Sequence, residues 1–366
     1  MTHGLPPVAI DARRLQEAPL GGVGRWLANV LPYLGAQADV VLLTDAGRPR
    51  AGGGSGLGGA TLPEAPLWLP RACPEVVWIQ FSVARWLRGF RGVFHGTFNQ
   101  LPVAWSGPMV VTIHDLATRD HPEDFAGNEV KRWVWNAQIG RAAKQAAAIH
   151  TPSEFVRQRV IATYGLHPDQ VVVIPHAVDP VFTPARCPEG RARAAALGVS
   201  GSYVVALGGA RRRGLSVAVD AWAKAREEGA EEALVVVGSE VPSSRAGVFY
   251  AGRVADHEWA QLLAGANAFV YPTRYEGFGM PALEAAASGV PVVAARVAAL
   301  PEVLGDAAQW CPAPTVEAVA AGLLALLAQP TRHEALRQAG LARATGGITW
   351  PVAAARLLDL YRLVAS

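Results

Sequence analysis

"NAFVYPTRYEGFGMPALEAAASGVPVV", residues 267–293, holds a complete unit of a fold. The apolar run "AFVY" stops at Pro272, a loop with two glycines follows, Pro281 opens an alanine-rich stretch, and "GVPVV" begins a second apolar run. That order reads as strand, loop, helix, strand. Continuous apolar strands separated by helices mark a parallel sheet covered on both faces. Pro281 suits the first position of a helix, where its missing N–H costs nothing. The same stretch sets Glu276 and Glu284 eight positions apart around that loop.

The pattern extends in both directions. Upstream, "PVAI" (7–10), "DVVLLTD" (39–45), "GVFHG" (92–96), "PMVVTIHD" (108–115), "AAIHTPS" and "QVVVIPH" alternate with Ala/Leu/Arg stretches of helical period. After residue 200 come "SYVVALGG", "EALVVVGSE", "GVFYAGR", "NAFVYPT", "GVPVVAA" and "AAQWCPA". Between them "IPHAVDPVFTPARCPEGRARAAALG" has no strand periodicity and reads as the interdomain linker. The chain is thus expected to be an α/β protein of two Rossmann-like, doubly wound parallel-sheet domains facing each other across a cleft, with the ligand at their strand ends. "AGGGSGLGGA" (51–60) reads as a flexible surface loop, since no helix start follows it to complete an anion cradle.

Composition agrees. At 366 residues the chain exceeds what one core usually organises. With 51% hydrophobic and 17% charged residues it is globular, and a net charge of +3 is too small and scattered for a nucleic-acid surface. The positive charge is nearly all arginine; Lys131, Lys144 and Lys224 are the lysines. Cys73, Cys187 and Cys311 lie far apart, which fits a reducing cytoplasm better than a disulfide framework or a zinc site. The start lacks the pattern of a signal peptide, and no apolar stretch reaches the roughly 18 residues of a membrane span.

Several motifs could carry chemistry. In "LGGVGRW" (20–26), Gly21, Gly22 and Gly24 would let a backbone turn sharply at a helix start and aim N–H groups at an anion. A plain tight turn accounts for them equally well, and Leu27 in place of a third glycine disfavours a dinucleotide fingerprint. His95 and His114 sit at strand ends, where side chains meet the ligand; either is alternatively a satisfied structural histidine, with Asp115 favouring a role for His114. Arg211, Arg212 and Arg213 follow a strand and precede a helix, as a diphosphate site requires and as a solvated basic turn also would. Gly277 and Gly279 allow a second anion site at a helix start. Glu276 at the loop mouth and Glu284 in the first helical turn could each accept paired hydroxyls. Otherwise Glu276 is a surface residue and Glu284 a partner of the helix dipole.

Taken together these stretches resemble the retaining glycosyltransferases of family 4, which have the GT-B fold and an E-x7-E element, here Glu276 and Glu284. "AIDARRL", "GGVGRW", "VFHGTFNQLP", "VVTIHDLA", "HTPSEFVRQRVIATYG", "VVVIPHAVDP", "GRVADHEWAQLLAGANAFVYPT", "AALPEVLGDAA" and "TWPVAAARLLDLYR" fall in the family's order across nearly the whole chain. The resemblance implies an N-terminal, acceptor-side domain over 1–185, a nucleotide-sugar domain over 186–346, and a C-terminal helix over 347–366 that packs back on the first. It implies that Glu276 approaches the donor sugar and Glu284 the ribose. The backbone of Gly277, Phe278, Gly279 and Met280 would meet sugar and diphosphate, and Arg212 with Arg213 would neutralise the leaving diphosphate. Gly22 and Gly24 would face the diphosphate from the other domain, His114 would stand near the reacting carbon, His95 and Asp115 would line the acceptor or sugar pocket, and Arg253 with Val254 would meet the base. No metal or other cofactor is implied. Departures from the family pattern are His176-Ala177 where Asn-Gly is common, the compressed "GGARRRG", and Val297-Ala298-Ala299 before Leu-Pro-Glu.

The opening motif and "HGTFNQLP" are most similar to the mannosyltransferase-like branch that builds polysaccharide or lipopolysaccharide chains. That favours GDP-mannose over a UDP-hexose, with a carbohydrate or glycolipid acceptor. A non-catalytic sugar-nucleotide-binding subunit and an epimerase of the same fold are the competing readings. Two basic-aromatic stretches, 81–94 and 131–144, could touch the inner membrane surface; the commoner fate of such a stripe is a helix whose rings pack inward.

Overall fold

Every apolar run named above forms a strand. The computed structural model describes residues 5–17, 20–46, 63–67, 75–125, 127, 129–238 and 245–366. The 51–60 loop and Cys73 lie outside them. Two compact units result, one of Met1–Ala177 with Ile348–Ser366 and one of Val178–Gly347.

The first unit contains β1 (Val8–Asp11), β2 (Val40–Asp45), β3 (Glu64–Leu67), β4 (Val93–Gly96), β5 (Met109–Thr112), β6 (Ala148–Thr151) and β7 (Val171–Val173). They form one parallel sheet in the order β3-β2-β1-β4-β5-β6-β7. β3 is not legible in the sequence: "EAPL" is short, half-exposed and contains a proline, which an edge strand tolerates and a central one does not. Side chains alternate across the sheet. Val8 and Ile10 join the core beneath the helices Gly22–Gly35 and Trp350–Ala365, while Ala9 joins the core on the opposite face. The C-terminal helix contributes Leu357, Leu358 and Tyr361, each almost wholly buried. Burying one such leucine is worth about 1.5–3 kcal/mol, so the helix is an integral layer of this unit.

The second unit contains β8 (Tyr203–Leu207), β9 (Ala233–Val237), β10 (Val248–Gly252), β11 (Ala268–Tyr271), β12 (Val292–Ala295) and β13 (Ala308–Cys311). They form a parallel sheet in the order β10-β9-β8-β11-β12-β13. In both units the strand order reverses direction once, between β1 and β4 and between β8 and β11. At such a switch point the outgoing loops diverge to opposite faces and leave a crevice.

The stretch 174–198 is more than a linker. The chain changes unit after Ala177, because Ile174 and Ala177 pack in the first core while Val178, Val181 and Phe182 pack in the second. The helix Cys187–Ala196 then lies so close to Asp256–Ala264 that a Cβ on Gly190 would stand 1.9 Å from the Gln261 carbonyl oxygen. Pro, Ala and Arg conceal this helix because its contact depends on smallness rather than on an apolar stripe. In 81–94, Trp86 and Phe90 pack inward on the core, Arg85, Arg88 and Arg91 are exposed, and Phe81 alone of the rings faces solvent.

Candidate active site

At the second unit's switch point the loops after β8 and β11 are joined. Gly209 takes a left-handed conformation (φ 100°), and Arg211–Arg213 form a single 3-10 turn ending at Gly214, also left-handed (φ 68°). A Cβ on Gly214 would fall 2.5 Å from the Pro272 carbonyl oxygen, so only glycine permits this approach. The Arg212 carbonyl accepts from the Arg274 N–H (2.8 Å) and from the Thr273 hydroxyl (3.2 Å). Arg211 is exposed, whereas Arg212 and Arg213 are half-buried, and Arg213 Nη1 donates to the Gly208 carbonyl (2.9 Å).

The β11 loop ends at Gly279 (φ 101°), after which the helix Met280–Ala287 begins with Pro281 in its first turn. Gly277, Phe278 and Gly279 are buried and Met280 is half-buried. Glu276 is only 9% exposed and accepts a hydrogen bond from the Tyr271 hydroxyl. Burial, then the charge of Glu276, push the Tyr271 hydroxyl well above its ordinary pKa, while Arg213 and Arg212 oppose this. Tyr271 therefore stays protonated as a donor. Glu284 is not in the first helical turn but is the fifth residue, fully buried, with Trp259 Nε1 donating to its Oε2 (2.8 Å). It is neither a surface charge nor a partner of the helix dipole.

In the first unit β1 leads to Arg13 and Arg14, then to the helix Gly22–Gly35. The two glycines differ. A Cβ on Gly24 would lie 2.5 Å from the Arg14 carbonyl oxygen, while one on Gly22 would meet nothing within 4 Å. Gly24 closes the loop on itself, and Gly22 leaves the helix start open.

Beneath the strand ends, histidines surround the Trp26 ring: His95 at 6.2 Å, His114 at 5.4 Å, His150 at 5.6 Å and His176 at 5.8 Å between centroids. Hydrogen-bond direction fixes two tautomers. His150 Nε2 can only donate to the Ile174 carbonyl (2.9 Å), so its Nδ1 accepts from the Thr112 hydroxyl (2.9 Å). Thr112 in turn accepts from His95 Nε2 (2.7 Å), which leaves His95 Nδ1 to accept from the Tyr361 hydroxyl (2.7 Å). Burial is the largest cause lowering every one of these histidine pKa values, to about 3 for His150, to about 4 for His114 and well down for His95 and His176. All four are neutral near pH 7. His95, open to either reading from sequence, is 1% exposed with both ring nitrogens occupied, so it has none to offer a ligand. His114 is half-buried; its Nε2 donates to the Thr97 carbonyl (2.9 Å), which makes Nδ1 the acceptor. Asp115 is half-buried and accepts from the Ala117 N–H (2.9 Å), starting the short helix that follows.

A model described as Glycosyltransferase Family 4 matches residues 20–182, and one described as Glycosyl transferases group 1 matches 201–329. MMP alpha-(1->4)-mannosyltransferase of Mycolicibacterium hassiacum is 30% identical over 316 residues, covering 79% of this chain and 75% of that protein. The chain belongs to glycosyltransferase family 4. O-antigen chain mannosyltransferase B of Escherichia coli is 28% identical over 293 residues, 74% of each chain. Sucrose-phosphate synthase from Thermosynechococcus elongatus superposes with a TM-score of 0.74 over 98% of this chain and 99% of that one at 19% identity, a likeness of fold. The architecture of this family 4 glycosyltransferase is accordingly GT-B.

Within the glycosyltransferase, the second unit brings Arg212, Arg213, Glu276 and Gly277–Met280 to one switch point. Arg253 is exposed and Val254 half-buried after β10, at the far edge of that sheet. Sequence reasoning did not single out Tyr271, Trp259 or Trp26; the polar tips of the first two and the ring of histidines around the third mark them only in the structure. It also missed Arg13, which pairs with buried Asp11 (2.7 Å), and Arg14, whose guanidinium lies 3.7 Å over Phe98. Among the described residues, His121, Glu123 and Asp124 bring metal-ligating atoms within 4.8 Å of one another, on a turn outside the residues named above.

Proposed function

We propose that this glycosyltransferase moves mannose from GDP-mannose to a hydroxyl of a carbohydrate or glycolipid acceptor, with retention at the anomeric carbon and without a metal ion. The carrying observation is the hydrogen-bonded junction of the β8 and β11 loops, which gathers Arg212, Arg213, the Tyr271 hydroxyl and Glu276. Mannose is supported by the names of the two relatives above, both mannosyltransferases. Arg212 and Arg213 supply the charge a departing diphosphate needs, and fixed donors aimed at developing charge are the largest catalytic term in most enzymes. The bond from the anomeric carbon to the phosphate oxygen breaks with its electron pair on the diphosphate. The acceptor oxygen bonds to the same carbon from the same face, and its proton passes to the leaving phosphate oxygen. Within the second unit Glu276 orients the sugar, Glu284 the ribose, and Arg253 with Val254 the base; in the first unit the Nδ1 of His114 is left as an acceptor and the Gly22 helix start is left open to an anion.

The test is thermal stabilisation by GDP and UDP followed by transfer in the presence of a chelator, with the product's anomeric configuration read by NMR. A ligand at a hundred times its Kd adds about 2.7 kcal/mol of stability. Stabilisation by UDP alone would reassign the donor to a UDP-hexose; nucleotide binding without turnover on any acceptor would make the chain a binding subunit.

Contact with an anionic lipid surface belongs to the same reading. The helix Glu129–Gln145 exposes Val130 (74%), Trp133 (71%), Ala137, Arg141 and Lys144 along one stripe. Apolar side chains for the acyl boundary beside cations for headgroups match such a surface. Among the described residues no helix is long and apolar enough to cross a membrane. Co-sedimentation with vesicles containing anionic lipid, lost in Trp133→Ser with Lys144→Glu, tests this.

A further inference from the structure

Under the two glutamates of the second unit three aromatic rings stand in a row. Trp259 meets Phe269 edge-on at 5.8 Å between centroids, and Phe269 stacks on Tyr271 at 4.9 Å. All three are buried in one core, at 4%, 0% and 0% exposure. Three plain hydrocarbon rings would explain such packing alone. The two end rings instead carry polar tips, and each tip is spent on a glutamate: the Tyr271 hydroxyl donates to Glu276 Oε1, and the Trp259 indole N–H to Glu284 Oε2 at 2.8 Å. A buried tyrosine or tryptophan has to place its donor somewhere. That both place it on the element with the Glu-x7-Glu spacing joins the core to the site.

The two ends reach the site by different routes. Tyr271 is the last residue of β11, five positions before Glu276, so the strand itself aims it. Trp259 lies on the helix Asp256–Ala264, which starts two residues after Val254. A glutamate side chain turns about several bonds, and one fixed hydrogen bond to a charge-capable oxygen removes most of that freedom.

We propose that Tyr271 and Trp259 are positioning residues with separate duties, Tyr271 setting Glu276 for the donor sugar and Trp259 setting Glu284 for the nucleotide's ribose. The inference rests on the reading of the site given above. Phe269 couples the two only through ring packing, so each tip can be removed without disturbing the other's partner.

The test uses the full chain with Tyr271→Phe and Trp259→Phe, GDP and UDP as binding probes, and GDP-mannose turnover. Trp259→Phe is expected to weaken nucleotide binding and raise the donor KM about tenfold with kcat changed less; Tyr271→Phe is expected to lower kcat about tenfold while nucleotide binding stays within about twofold, the range for a hydrogen bond to a charged group. In the matching cycles, Trp259→Phe adds nothing on a Glu284→Ala background, nor Tyr271→Phe on Glu276→Ala. Parental values in both variants, the same parameter moved by both, or additive cycles would overturn the inference and leave the proposed function standing. A parent chain that binds no nucleotide would overturn the proposed function itself. Should a ring variant melt early, indole N–H resonances decide: one that moves in Glu284→Gln is expected to move when GDP is added to the parent, and its staying fixed counts against the Trp259 assignment.

Discussion

In the first unit three histidines, His95, His150 and His176, are buried behind the strand ends, and the one buried acid among the described residues there, Asp11, is paired with Arg13 at 2.7 Å; in the second unit the buried acids are Glu276 and Glu284. Both sets lie at strand ends of a parallel sheet, yet they are made tolerable differently. A histidine can be buried by giving up its proton, and the chain from Tyr361 through His95 and Thr112 to His150 then satisfies the neutral ring nitrogens. A glutamate needs donors, and here the donors are aromatic tips from the unit's own core. The histidine chain is an uncharged wall; the glutamates are held as acids by neutral donors, with Arg212 and Arg213 on the adjoining loop. That contrast is why the charge stabilisation proposed for transfer is sought in the second unit.

Removing the acid held by Tyr271 should break the contrast most. Glu276→Ala is expected to lower transfer from GDP-mannose by about a thousandfold, the upper range for one group acting on the transition state, with circular dichroism unchanged. Arg213→Ala should cost about a hundredfold in kcat on the same scale, whereas exposed Arg211→Ala should stay within about twofold; a reversal would move the phosphate site along the turn. Acid separates the units by stability. The folded pKa values of His114 and His150 lie near 4 and 3, below the ordinary 6.5, so under pH 6.5 the unfolded chain binds more protons than the folded one. This stabilisation is fully present above pH 6.5 and is lost as pH falls toward 4 and then 3, at about 1.4 kcal/mol per pH unit for each such histidine. Hydrogen exchange at falling pH should show β4, β5 and β6 losing protection before β8 and β11. The smallest effect is expected at Gly22→Ala: stability within about 0.5 kcal/mol, as for a surface change, because its Cβ meets nothing within 4 Å. Gly24→Ala, driven against the Arg14 carbonyl, should lower Tm instead.

Much of this was legible because the signals were local. Among the described residues, twelve of the thirteen strands are apolar runs bounded by Gly, Pro or Asp, and the loop-and-helix around Glu276 announces itself by glycine and proline spacing. What stayed hidden depends on approach through space. Trp259 meets Glu284 across 25 residues of sequence and Tyr361 meets His95 across 266, and neither separation has a periodicity to read. The 187–196 helix packs through Gly190, a residue whose contribution is the atom it lacks. His95 could not be settled from sequence for the same reason: both of its partners lie on other elements.

The first unit is closed by the last helix of the chain, and that orders its birth. During synthesis Val178–Gly347 is a continuous stretch, free to fold as soon as it emerges, while the sheet begun at Val8 must wait for Tyr361 before the buried His95 finds its last hydrogen-bond donor. The half of the molecule made first is therefore finished last. A chain cut between Gly347 and Tyr361 would keep the Arg212, Arg213 and Glu276 loops on one unit and leave the core of the other unsealed, a loss far more costly than the number of residues removed suggests.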